Sequence, residues 1–248
     1  MLTLYHYWSS VCSQKARLAL AEKGLDWTSR HVDLFRFDHW EPGYKALNPK
    51  AVVPTLDHDG RIVIESNVII EYLEDVFPEV RLRPADPYAQ AIMRLWIYNS
   101  EEIAHPNVNT LSYNARHKLR LAKFPKDQLE RLAAKCPNPA IARRFLRRVA
   151  EGVSPREEED AYATLDHMLD AMERALDPGP WLTGPSYSLA DVAMAPYVNR
   201  IEVLPRPEMV GAKRRPRIAE WWRRVRERPA FQTAFSFANS DTSDPVKR

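Results

Sequence analysis

Tyr5-His6-Tyr7-Trp8-Ser9-Ser10-Val11-Cys12-Ser13-Gln14-Lys15-Ala16-Arg17 is where the chain changes its period. Before it, Leu2, Leu4 and Tyr5 read as a short strand. From Val11 onward, Val11, Lys15, Leu18 and Leu20 and the stop at Gly24 fit an amphipathic helix. At the junction stand two hydroxyls, Ser9 and Ser10, and the thiol of Cys12. A helix start has backbone N–H groups without partners and a partial positive charge. It favours anions, thiolates included. Two readings follow: a serine N-cap beside a buried cysteine, or a place where an anionic sulfur is held.

Working outward, the elements alternate up to residue 78. A strand over about 2–7 and a helix over 11–23 are followed by a weaker strand at 26–33 and a loop carrying Phe35, Phe37, His39 and Trp40. Pro54–Asp57 and Arg61–Ile64 flank Asp59-Gly60, a hairpin-turn signal. Ser66 then caps a helix with Val68, Ile69, Ile70, Tyr72, Leu73 and Phe77 as its apolar positions. The order β-α-β-(short α)-β-β-α predicts a small α/β unit with a mixed sheet over 1–78. The proline-rich, charged stretch 79–87 reads as a linker. Beyond it, 88–248 shows helical patterns only: 88–115 with a kink expected at Pro106, 157–176, 188–203 and 216–228. The polar tail from Asn239 is expected to fray.

Composition narrows the function classes. The chain has 248 residues, 45% hydrophobic and 28% charged, and a net charge of +3. That is an ordinary globular balance, too weakly basic to imply nucleic acid or a membrane surface. Two cysteines, Cys12 and Cys136, make no disulfide scaffold and suit a reducing, cytoplasmic setting. No signal peptide and no membrane-spanning apolar run are visible. The seven histidines form no metal pattern, and no phosphate-binding glycine loop occurs. Segment 118–151 holds ten Lys/Arg against three acids. It reads as a solvated helical insert or as a device that steers anionic ligands. Its few interleaved aromatics argue against nucleic acid.

Three further motifs bear on a ligand. Val53-Pro54 opens a strand, and the sequence leaves its isomer open. A cis bond there would turn the Val53 backbone toward an open edge, where a peptide-like ligand can pair. Glu65-Ser66, between a strand and a helix start, suits an ammonium and a carboxylate together, as in an amino-acid head group; a plain cap is the alternative. Ser188-Leu189-Ala190-Asp191 is a capping box with a structural role.

Taken together, SSVCSQKARLALAEKGL, NPKAVVPTLDHDG, ESNVIIEYLED and SYSLADV, in this order, resemble the cytosolic glutathione transferase family over nearly the whole chain. The resemblance implies an α/β N-terminal thioredoxin-like domain followed by an all-α C-terminal domain, the glutathione transferase fold. It implies glutathione (γ-Glu-Cys-Gly) as cosubstrate with no metal, a hydrophobic, aromatic or quinonoid electrophile, a detoxifying role and a homodimer. On the matching positions, Glu65 and Ser66 would hold the γ-Glu end. Val53, before Pro54, would pair with the cysteinyl backbone. Ser10 falls on the serine that zeta- and tau-like classes use to stabilise the thiolate, with Ser9 as the register alternative.

Cys12 adds a branch. Ser10-x-Cys12-Ser13 resembles the tetrachlorohydroquinone reductive dehalogenases and their zeta-class relatives, where the cysteine forms a mixed disulfide with glutathione. VIIEYLEDVFPEVRLRPADP is similar to bacterial β-aryl etherases. Many relatives carry Lys or Gln just before the Val-Pro pair, to reach the glycine carboxylate. Here that position is Val52, which leaves Lys50, His39 or Trp40 for the task. Tyr7, Trp8, His105, Asn109, Tyr113 and Arg116 are expected to build the electrophile pocket, and Glu101 or Glu102 to reach a partner's site. A non-catalytic glutathione-binding protein of the same fold is the remaining alternative.

Overall fold

The computed structural model describes residues 1–237; the tail expected to fray lies outside the described residues. Four strands, β1 (Leu2–His6), β2 (Trp27–His31), β3 (Thr55–His58) and β4 (Arg61–Ile64), form one sheet in the order β2-β1-β3-β4. β1 runs parallel to β2 and antiparallel to β3, and β3 and β4 form the expected hairpin. Asp59 and Gly60 at its turn both have positive φ, 52° and 83°, the pair of conformations that matches strand twist in a two-residue turn. Alternation in β1 puts Leu2 and Leu4 inward, with Leu4 opposite the equally buried Leu56.

The helix read from the opening stretch, α1 (Val11–Glu22), is not simply amphipathic. It is buried from Val11 to Leu20, because it lies between the sheet and the helical half and packs on α3 (Ser66–Val76), α10 (Leu189–Ile201) and α12 (Pro229–Phe235). Its two cations are therefore inside and individually satisfied. Lys15 Nζ donates to Asn67 Oδ1 at 2.6 Å and Ser100 Oγ at 3.1 Å. Arg17 donates to the carbonyls of Trp8 (2.8 Å) and Ala234 (2.8 Å) and to His6 Nδ1 (3.0 Å). Burial, with Arg17 beside it, holds His6 down at about 3. Its neutral ring accepts from Arg17 at one nitrogen and meets Ser29 Oγ with the other, at 2.8 Å.

Between α3 and α4 (Pro87–Asn99) no helix or strand intervenes. The segment is nonetheless pinned. Lys23 Nζ meets Glu74 Oε2 at 2.6 Å, both buried, and donates to the carbonyls of Phe77 and Val80, while the Glu74 carboxylate accepts from the N–H groups of Leu82 and Arg83.

After α4, the backbone stays helical through α5 (His105–Ser112) to α6 (Lys118–Leu121), by way of π turns at Ser100–Ala104 and Tyr113–His117. Pro106 cannot donate to the carbonyl a turn behind it. The π turn just before it, in which His105 N–H reaches back to Ser100 O, takes up that mismatch. The basic segment forms α6, α7 (Lys126–Ala133) and α8 (Pro139–Glu151). α9 (Pro155–Ala175), α10, α11 (Pro216–Glu227) and α12 complete the helical half.

Ser188 and Asp191 form the expected capping box at the start of α10. Asp191 also accepts from Leu182 N–H (3.0 Å) and Trp221 Nε1 (2.8 Å), so this cap joins three segments of the core. Burial pushes its carboxyl up to about 6.

Candidate active site

The junction at residues 7–12 forms one wall of a cavity of about 1050 Å³. Buried arginines fix the path of the chain into α1: Arg17 takes the Trp8 carbonyl, and Arg200 Nη2 takes that of Ser9 at 2.6 Å. Ser10 is the N-cap, its Oγ accepting from Ser13 N–H at 3.2 Å. The local, structural reading of Ser10 therefore holds. It does not exhaust the side chain, because a hydroxyl that accepts one bond still has its own proton to donate, and Ser10 lines the cavity.

Facing it is the Val53-Pro54 peptide, which is cis. Sequence reasoning missed what holds it. Tyr44 Oη and Asn48 Nδ2 both donate to the Val52 carbonyl, at 2.7 and 2.9 Å, and both reach Thr55 Oγ1. This clamp positions Val53 at the cleft. Glu65 and Ser66 follow along the same side. Ser66 is the first residue of α3 rather than its cap; Glu65 holds the cap position with φ of 70° and makes no side-chain cap bond. Its carboxylate goes instead to Lys50 Nζ, 2.7 Å away. Two residues assigned to opposite ends of the same ligand thus meet each other.

Ser10, Cys12, Val53, Pro54, Glu65, Ser66, Lys50, His39, Trp40, Tyr7, His105, Asn109 and Tyr113 all line the cavity; Trp8 and Arg116 do not. The Trp8 ring stands 5.9 Å from that of Tyr7, and its carbonyl accepts from Arg17. Arg116 lies on the second π turn, whose wider winding sends its neighbours Tyr113 and His117 into the cavity. His39 is present but uncharged near neutrality, since burial lowers its ring to about 4. It is able to offer a hydrogen bond to a carboxylate and not a charge. Its Nδ1 and the Tyr113 hydroxyl are buried atoms with no hydrogen-bond partner among the described residues.

The basic insert is part of this site. Phe37, Trp40, Tyr113, Leu121, Leu129 and Val153 form a separate core, with Phe35, Phe124, Leu132, Phe145 and Val149 packed against it. Phe145 of α8 stands edge-on to Phe37 and Trp40, at 5.7 and 5.5 Å between ring centres. Arg120 crosses the gap, donating to Tyr7 Oη at 2.8 Å and lying over the Phe35 ring. The insert thus roofs the cavity with aromatic and aliphatic side chains while its helices stay largely open to solvent. Arg144 and Arg148 reach the cavity from it.

In the same cavity, Cys12 faces the long helix and α10. Its Sγ lies 3.9 Å from His105 Nε2 and 3.9 Å from Tyr197 Oη. His105 Nδ1 lies 3.0 Å from Glu101 Oε1. Glu101 is thus engaged within its own chain. Burial alone would raise the Cys12 thiol, but the adjacent His105, with Lys15 beyond, outweighs it and leaves the thiol below its ordinary value. The sulfur in turn drives His105 up to about 10. Thiol, carboxylate and imidazole are close enough to suggest a metal ligand set. In this orientation the carboxylate and the thiol each meet their own nitrogen of the ring, at 3.0 and 3.9 Å.

The likeness to known proteins runs the length of the chain. Residues 9–76 match the family model "Glutathione S-transferase, N-terminal domain", and 138–224 match the C-terminal domain model. Protein LigF of Sphingobium sp. (strain NBRC 103272 / SYK-6) is 32% identical, over 100% of this chain and 97% of its own length. The tetrachloro-p-hydroquinone reductive dehalogenase of Sphingobium chlorophenolicum is 29% identical over 94% of this chain and 95% of its own. The crystal structure of the β-etherase LigF superposes with a TM-score of 0.89, at 31% identity over 95% of this chain and 98% of that one. A maleyl pyruvate isomerase, described as a bacterial zeta-class transferase, gives 0.71 at 27% identity over 96% and 99% of the two chains. With both halves matched and a full-length relative above 30% identity, the chain belongs to the glutathione S-transferase family.

Proposed function

We propose that this protein activates the thiol of glutathione at Ser10 for attack on an aromatic electrophile held beneath the insert. The observation that carries this reading is a convergence. The start of α1, the Val53-Pro54 edge and the Glu65-Ser66 corner open into one cavity, so a hydroxyl, a peptide edge and an amino-acid site lie within one ligand's reach. Glu65 and Ser66 take the γ-Glu head group, and Val53 pairs with the cysteinyl backbone. The glycine carboxylate lies toward Lys50 and the neutral His39. The Ser10 hydroxyl donates to the sulfur, and the α1 N-terminus favours its charge. The thiolate attacks the carbon bearing the leaving group, the C–S bond forms, and the leaving group departs with its electron pair. Phe37, Trp40, Tyr113 and Phe145 suit a planar aromatic partner.

Two branches are separable within this chemistry. Similarity to LigF and the aromatic roof favour thiolytic cleavage of an aryl ether; Cys12 beside the cleft favours a reductive route through a mixed disulfide. Turnover on a chloronitrobenzene, a β-aryl ether and a chlorinated hydroquinone, each with glutathione, tells them apart. Glutathione binding with no turnover on any of the three would instead favour a non-catalytic binding protein.

We also read the chain as a cytoplasmic homodimer with a detoxifying or catabolic role. Val68 on α3 and Tyr88, Leu95 and Tyr98 on α4 are exposed apolar side chains on neighbouring helices, at 53%, 74%, 51% and 59%. Such a face suits a second copy. Light scattering of the purified protein tests it, and a monomer at micromolar concentration would overturn it.

A further inference from the structure

The Ser10 chemistry makes no use of three side chains that line the same cavity, Cys12, Glu101 and His105. In that group, each nitrogen of one imidazole has its own partner. His105 Nδ1 faces Glu101 Oε1 at 3.0 Å, one helical turn earlier, and Nε2 faces Cys12 Sγ at 3.9 Å. A carboxylate only accepts, so Nδ1 carries the hydrogen. In the neutral ring that leaves the Nε2 lone pair toward the thiol. This is the geometry of a base oriented by a third group. The distance is at the long end for a sulfur hydrogen bond, as is common where no substrate tightens the site.

We propose that Glu101, His105 and Cys12 form a thiol-activating relay, which gives the cleft a protein nucleophile of its own beside the Ser10 hydroxyl. His105 is the base, and Glu101 is a positioning residue that holds the ring. The Cys12 Sγ–H proton passes to His105 Nε2, leaving a thiolate–imidazolium pair. With a small disulfide, the thiolate attacks one sulfur; a new S–S bond to Cys12 forms, the old one breaks, and the leaving thiolate carries away the electron pair. With a haloacetamide, the S–C bond forms and halide leaves.

Other titratable groups also face Cys12. From its own helix Lys15 adds positive field, but its ammonium is bound by Asn67 and Ser100. From α10, Tyr197 Oη lies 3.9 Å from the sulfur as a neutral phenol, raised well above its ordinary value by burial. Glu101 opposes the thiolate and Glu65 acts on Lys15. His105 is the one ring placed to take the proton.

This inference rests on the transferase reading only for the identity of the natural sulfur partner, so its test uses no glutathione. The rate of Cys12 alkylation by iodoacetamide is followed against pH, with peptide mass mapping to separate Cys12 from Cys136. The wild type titrates below an ordinary thiol, about 8.5. His105→Gln shifts the titration up by at least about one unit, a roughly tenfold slower reaction below neutrality, with an unchanged alkaline plateau. Glu101→Gln shifts it by less, and Glu101→Asp restores most of the loss. The alkaline plateau reports access and folding, which a merely structural role would alter. If His105→Gln does not fold, the Glu101→Gln profile decides. Superimposable profiles for wild type and variants, or a wild-type titration at the ordinary value, overturn the relay. Failure of the transferase reading is separate: it would appear as no glutathione turnover while the alkylation profile holds.

Discussion

Arg120 donates a hydrogen bond of 2.8 Å to the phenol of Tyr7, across 113 residues of sequence. One partner precedes α1 in the sheet half; the other opens the basic insert. The bond and the Arg120–Phe35 stack join roof to floor, together with the Phe145 contacts to Phe37 and Trp40 and the Lys135–Glu41 ion pair. Arg120→Leu leaves the buried Tyr7 hydroxyl without this donor, a cost of about 1–3 kcal/mol. Chemical denaturation should show that loss, and KM for the aromatic substrate should rise more than KM for glutathione. Equal increases in both would mean that the insert is not the aromatic wall.

The Lys50–Glu65 pair sets up an exchange. If the glutathione ammonium replaces Lys50 at the Glu65 carboxylate, Glu65→Gln removes a charge-assisted bond worth about 1.5–3 kcal/mol. The glutathione KM should then rise roughly 10- to 100-fold. Lys50→Met should change it by no more than about threefold, because losing a competitor for Glu65 offsets the loss of a carboxylate partner. Steady-state kinetics on both variants checks this, and a larger effect from Lys50 would reverse the two assignments.

At the start of α10, Ser188→Ala should cost about 1 kcal/mol of stability and leave kcat and both KM values unchanged. A thermal melt and a kinetic assay on the same sample test the pair of claims. The cap is embedded in the Asp191–Trp221–Leu182 network, far in role from the sulfur.

Acid should unfold the protein earlier than its carboxylates alone require. His6 is held at about 3, His39 at about 4 and His117 at about 3, each with burial as the leading cause. Their folded values lie below the unfolded value, so the unfolded chain binds more protons as pH falls below about 6.5. Stability is complete above that pH and declines down toward the folded values. His6→Gln should flatten the decline by up to about 1.4 kcal/mol per pH unit, read from urea midpoints across that window. An unchanged slope would mean that His6 is not buried neutral.

Much of this fold was legible because its signals are local. The period change at Val11, the Asp59-Gly60 turn and the Ser188 box each depend on a few neighbouring residues, and α1, the β3–β4 hairpin and α10 start within about two residues of where the sequence puts them. The long helix runs six residues past its expected end at 115, to Leu121, and α12 has no counterpart in the sequence reading. Glu65 and Ser66 were legible as a pair, but not that Glu65 takes the cap position with positive φ, since that follows from the loop it closes. The packing role of the insert is not legible because its charges dominate its composition. Its roofing role depends on Phe124, Leu129, Leu132 and Phe145, which become a core only when they meet Phe37 and Trp40 from the other half. Likewise, 93 residues separate Cys12 from His105. Nothing in the spacing of either announces the other, and only the packing of both α1 and the long helix on α10 brings them together.

The central claim is that the Ser10 hydroxyl holds glutathione as a thiolate. The direct measurement is the ultraviolet thiolate band of enzyme-bound glutathione, titrated against pH in wild type and Ser10→Ala. The account predicts a bound thiol ionised near neutrality in the wild type. In Ser10→Ala, its titration should move up by about one to two units, with conjugation falling by the corresponding tenfold to hundredfold. A Ser10→Ala enzyme that keeps both the band and the rate would contradict it.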